Sequence, residues 1–201
     1  MWATKRTPAR CRIRRNTGSF IIEFTMILLM FLIMVFGVIE LIRYMYVVNT
    51  LQEVTRRAAS LAANIDFTNA NAISQVRANA VFRTASGGLV LGDPVTDASI
   101  RIDYLAIVNS GGSSVPTPID AASLPSSPGR NRFICKAHPN DAGCIRLVRV
   151  RVCAAATADV CVPVQYQTIF PLISFPIDLP ISSTIVTAET LGFTAGMTAY
   201  N

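Results

Sequence analysis

Residues 14–42 read RRNTGSFIIEFTMILLMFLIMVFGVIELI. Between residues 24 and 39 no charge interrupts the apolar run, and Thr25 is the only polar side chain. Extended to Ser19 on one side and Ile42 on the other, the stretch holds two glutamates, Glu23 and Glu40. As a helix it is roughly 36 Å long, enough to cross a hydrocarbon core of about 30 Å. Leu, Met and Phe suit a helix, and Gly37 is tolerated in a span. A secretory signal peptide would have a shorter apolar core ending in a small-x-small site. No such site follows closely, so the helix is expected to stay attached.

Charge sets the orientation. Lys5, Arg6, Arg10, Arg12, Arg14 and Arg15 precede Gly18 with no acid among them, and the remainder of the chain sums to zero out of a net +6. A basic cluster directly before an apolar span keeps the N-terminus cytoplasmic. This placement argues against a nucleic-acid partner, which the overall basicity alone would suggest. Arg43, Tyr44 and Tyr46 read as interfacial anchors on the far side, and Glu40, one turn from Arg43, can pair with it.

Glu23 lies about one turn inside the apolar run, where a carboxylate is costly. It either snorkels to the interface or pairs with a cation inside an assembly. The spacing favours the second reading. Basic residues, then Gly18, then four residues, then Glu23, all heading an apolar helix, resemble the type IV prepilin cleavage motif. That resemblance implies cutting between Gly18 and Ser19 by a membrane-embedded prepilin peptidase. It also implies that Glu23 neutralises the new N-terminal ammonium of a neighbouring subunit. A glycine without Cβ lets a peptidase approach the backbone, and two buried charges are far cheaper paired than alone.

Further features narrow the resemblance: the Glu-Phe pair at 23–24, Gly37-x-x-Glu40, Arg43-x-x-Tyr46, and an Ala-rich helix carrying Arg56 and Arg57. This N-terminal segment is similar to TadE-like proteins, the pseudopilins of tight-adherence (Tad/Flp) pilus systems. A Tad major pilin is short and nearly all helix, whereas this chain adds more than a hundred residues, so it resembles the minor-subunit branch. General-secretion pseudopilins usually carry Phe directly after the cut glycine; here Ser19 stands there and Phe20 follows. The resemblance implies other pilin-like subunits and the Tad assembly platform as partners. It implies a bacterial inner-membrane location with a periplasmic C-terminal domain, or incorporation into the pilus.

Past the span, Leu41, Met45, Val48, Leu51, Val54, Ala58, Leu61, Ala62 and Ile65 recur at three- and four-residue steps, an amphipathic stripe expected to pack on the protein's own domain, the alternative being a stripe shared with neighbouring subunits. The pattern predicts a second helix over 69–85, ended by Gly87-Gly88. Alternation then predicts strands over 99–108, 145–153, 161–170 and 181–188, with Arg149 and Arg151 facing water. Residues 109–130 read as a long Gly/Ser/Pro loop, and Pro163, Pro171, Pro176 and Pro180 confine strands to edges or ends. The fold class is α+β. It comprises a leader (1–18), a transmembrane helix (19–48), a helical stalk (49–86) and a β-rich extracytoplasmic domain (87–201).

Cys11 falls in the cytoplasmic leader, where it stays reduced. Cys135, Cys144, Cys153 and Cys161 lie beyond the span, where an oxidising compartment favours two disulfides. Three pairings are possible, the simplest being Cys135–Cys144 and Cys153–Cys161. Cys135, His138 and Cys144 match no zinc spacing, so no metal or cofactor is expected. His138 is the only histidine, and no nucleophile elbow or phosphate loop accompanies it. The sequence therefore points to an assembly subunit, not an enzyme. The rival reading is an uncleaved bitopic protein whose periplasmic domain binds a partner.

Overall fold

The computed structural model describes residues 17–154, 160–170 and 176–194. Residues 1–16 of the leader, with Cys11, and also Pro171 lie outside them. The chain divides into two units, Met1–Ile39 and Glu40–Asn201. In the first, the described residues form the opening part of helix α1 (Thr17–Ala62). Its apolar side chains from Phe20 onward are exposed, Phe20 and Met30 at 72% each. The Thr25 hydroxyl donates to the Ile21 carbonyl at 2.7 Å, which satisfies it within the helix.

The second unit is an α+β domain. Its sheet has the order β2-β1-β3-β4, all antiparallel, with β1 at Ile100–Ser110, β2 at Ser113–Pro118, β3 at Leu147–Val152 and β4 at Ser183–Thr187. One face packs on residues 47–63 of α1. Val47, Leu51, Val54, Ala58, Ala59 and Ala62 share a core with Tyr104, Val148, Val150 and Val152. Thr55 joins the two layers by hydrogen bonds to the Ser182 and Thr184 hydroxyls (3.1 and 2.9 Å). Leu41 and Met45, expected in the stripe, are exposed instead, because the buried face runs through Glu40, Arg43 and Val47. The end of α1 is tied down by the chain's last described segment. Glu189 and Leu191 amides donate to the Ala63 carbonyl, and the Gly192 amide donates to that of Asn64. Gly192 sits at φ +77°, and a Cβ there would fall 2.5 Å from the Asp66 amide nitrogen, so only glycine fits.

Several elements differ from the sequence expectations. Helix α2 (Ala70–Ala80) is shorter than the predicted 69–85. Asn69 caps its start through the amides of Asn71 and Ala72. It ends in a Schellman pattern, Phe82 amide to Asn79 carbonyl and Arg83 amide to Ala78 carbonyl. The left-handed position is held by Phe82 (φ 61°), not by Gly87 or Gly88, and its ring lies 5.1 Å from the Arg57 guanidinium. Residues 109–130 are not one loop. Gly111 and Gly112 (φ 60° and 84°) make a tight hairpin turn into β2. Ser127 then caps a third helix, α3 (Pro128–Ala137), with Pro128 in its first turn. Residues 161–170 form no strand. Pro163 lacks the N–H a ladder needs, and the segment makes only an isolated bridge, Gln165 to Asp178.

Arg149 and Arg151 lie on the partly exposed face of β3, opposite the buried valines, but they are not simply solvated. Both converge with Arg101 on Asp103 of β1: Arg151 at 2.7 Å, Arg149 at 3.1 Å and Arg101 at 3.1 Å. Burial opposes ionisation of Asp103, but hydrogen bonds and charge from Arg151, Arg101 and Arg149 outweigh it and hold its carboxyl below the ordinary value.

Candidate functional site

Gly18 and Ser19 lie in the first turn of α1, and Glu23 follows one turn later with an exposed side chain. Around it Phe20, Ile21, Ile22 and Phe24 are all more than half exposed. From there to Ile39 the helix presents bulky apolar side chains on every side. It is long and apolar enough to cross a membrane. An all-round apolar helix is stable only where lipid or other apolar helices cover it.

Immediately beyond this run, α1 places two charges in the domain. Glu40 and Arg43 are 4% and 8% exposed and lie 3.2 Å apart. Arg43 also donates to the carbonyls of Gln167 (2.6 Å), Leu91 (2.9 Å) and Asp93 (3.4 Å). Its guanidinium lies 5.0 Å from the Tyr166 ring centroid. The Tyr166 hydroxyl accepts from Arg43 at 3.2 Å and donates to Glu40 Oε1 at 2.7 Å; the Ile169 amide donates to the same oxygen at 3.3 Å. Tyr44 packs edge-on against Tyr166 at 5.3 Å. Arg43 is therefore no interfacial anchor: it is drawn into the domain, clasping residues 91–93 and 166–169 to the helix. Burial, followed by the hydrogen bond to Glu40, pushes the Tyr166 phenol up to about 12. Tyr166 was not singled out from the sequence, because its partners lie more than a hundred residues away and no local pattern marks it.

The four outer cysteines form two disulfides, Cys135–Cys144 and Cys153–Cys161. The first ties α3 to the entry of β3, and the second ties the end of β3 to residue 161. Each closes a short loop, a constraint worth a few kcal/mol. Bonded in this way, Cys135 and Cys144 are not available as metal ligands, and the described residues hold no cluster able to bind a metal ion. His138 is exposed at the end of α3.

Thus a helix with an exposed apolar surface, headed by Gly18 and Glu23, leads straight into a buried Glu40–Arg43 pair. Residues 18–60 match the family model described as TadE-like protein. The TadE-like segment begins at Gly18 itself and takes in Ser19, Glu23, Glu40 and Arg43. It ends before Tyr166, the arginine cluster and the disulfides. Neither the curated proteins nor the solved structures searched contain a match.

Proposed function

We propose that this protein is a membrane-anchored minor pilin or pseudopilin of a Tad-type pilus system, cut by a prepilin peptidase between Gly18 and Ser19. Its work is packing and charge pairing, with no turnover. The observation that carries this reading is the exposed apolar surface of residues 20–39, headed by Gly18 and Glu23 within the TadE-like segment. In the inner membrane this surface faces lipid; in an assembly it packs against the helices of other subunits. Glu23 offers the charge that pairs with a neighbour's new N-terminal ammonium. The domain 40–201 stands on the periplasmic side, where its disulfides form and persist.

Glu23→Gln tests the pairing. Gln keeps the shape and loses the charge, leaving a partner ammonium buried and uncompensated. The variant is expected to insert normally and to keep a folded domain, while crosslinked subunits and pilus yield fall sharply at matched expression. Glu40→Gln is the comparison: it strips a charge from the clasp, so its loss shows first as a less stable domain. Normal assembly with Glu23→Gln would remove the charge-pairing mechanism.

A further inference from the structure

The two edges of strand β1 are unequally covered. Toward β3, pairing runs from Ile100 to Leu105; toward β2 it runs only from Leu105 to Ser110. The Cys153 amide bonds to the Ser99 carbonyl and the Arg146 amide to that of Leu105, so odd-numbered backbone groups face β3. The Ile119 amide bonds to the Tyr104 carbonyl, so even-numbered groups face the other way. The N–H and C=O of Ile102 therefore point to an edge that has no strand among the described residues.

A recess of about 560 Å³ lies along that edge, walled by Phe67, Ile73, Ile119 and Leu124 and also lined by Arg77 and Tyr104. Tyr104 is 6% exposed, and among the described residues its buried hydroxyl has no hydrogen-bond partner; nor does the buried Nε of Arg77. An unsatisfied buried donor is expensive, and native proteins keep few of them. Of the acids around the recess, Asp120 is exposed and lines it, and two others are engaged. The Asp66 carboxylate takes the Thr68 amide and hydroxyl, and Asp103 is held by its three arginines. Burial pushes the Tyr104 phenol up to about 12, so it remains a donor throughout the physiological range.

We propose that this recess binds an extended acidic segment of a partner protein. The segment adds a short strand beside Ile102, and one Asp or Glu side chain accepts hydrogen bonds from Arg77 and the Tyr104 hydroxyl. The proposal requires the half-buried Arg77 side chain to turn so that both donors open to the recess. Strand addition supplies backbone bonds, and the pocket reads the side chain on one face. The apolar walls shield the charge pair from water, which strengthens it. This inference does not depend on cleavage after Gly18.

The probe is a fluorescein-labelled peptide alternating Thr and Val around one Asp, titrated onto the full chain in detergent and read by anisotropy. Changing its Asp to Asn, or Arg77→Gln in the protein, is expected to weaken binding about tenfold or more, and Tyr104→Phe roughly fivefold. Arg77→Lys, which keeps the charge but loses Nε, should fall between. N-methylation of the peptide amide that faces the edge should abolish binding. The Arg77 variants should melt as the parent does, since Nε has no partner to lose. Equal affinity for the Asp and Asn peptides, unchanged affinity in Arg77→Gln, or no binding at millimolar peptide would overturn the proposal. Full binding by the N-methylated peptide would overturn it too, by showing a site for an anion and not for a strand.

Discussion

Helix α1 contains two stretches of similar length that meet opposite fates. Residues 20–39 carry bulky side chains at nearly every position and are exposed. Residues 40–62 carry them on one stripe, interleaved with Gln52, Glu53, Arg56 and Arg57, and that stripe is buried against the sheet. What separates them is whether polar residues leave a single face to bury, and whether that face is narrow enough for a sheet to approach. Ala58, Ala59 and Ala62 meet the second condition. The change falls at Glu40 and Arg43, charges too costly for lipid unless paired, which the domain accommodates through Tyr166 and a set of backbone carbonyls.

The sharpest way to break this comparison is Arg43→Met. It leaves Glu40 buried without its cation, and the domain should lose about 3–5 kcal/mol in a denaturant titration of the detergent-solubilised chain. Leu29→Ala, in the exposed stretch, should leave that transition unchanged. An equal effect from both variants would mean that the two stretches are not distinct.

Two buried phenols at separate places in the domain make its stability depend on alkaline pH. Tyr166 and Tyr104 both lie near 12 in the folded state, against an ordinary value of 10.0. Their contribution is complete below pH 10. It is lost as pH rises towards 12, because the unfolded chain releases these protons first. Each phenol costs about 1.4 kcal/mol per pH unit across that window. Absorbance at the phenolate band should show Tyr104 and Tyr166 titrating late.

How much of this was legible depended on whether the partner was local. The apolar helix, β1, β3 and β4 announce themselves by period. Strand β2 does not, since SSVPTP has no apolar alternation; yet the Gly111-Gly112 pair after a predicted strand was a usable hairpin signal. Likewise Ser127-Pro128 marked the start of α3, hidden by the Gly and Ser around it. The Asp103 cluster and the Tyr166 clasp could not be read locally. Arg149 and Arg151 alternate like a wet face, and only the register of β3 on β1 brings Asp103 beneath them. The proposed processing motif is read in the opposite way, since Gly18 and Glu23 stand at a spacing along one helix.

Asp103→Asn should have a smaller effect, a loss of about 1–3 kcal/mol, because the three arginines are partly exposed and solvent screens their repulsion. Its pH dependence has the opposite sense to that of the tyrosines. The Asp103 carboxyl is held below its ordinary value, so its contribution is present above the unfolded value near 3.8 and fades as pH falls through the lowered folded value. The variant should lose that acid-side slope while its alkaline behaviour stays as in the parent.

The central claim is that residues 20–39 are exposed because they are built for a membrane and then for an assembly, which requires removal of the basic leader. The most direct measurement is intact-mass and N-terminal analysis of the protein extracted from membranes of cells with an active prepilin peptidase. The account predicts a chain beginning at Ser19, and a persistent long form when Gly18 is replaced by a bulky residue. Recovery of only the full-length chain beginning at Met1 would contradict it.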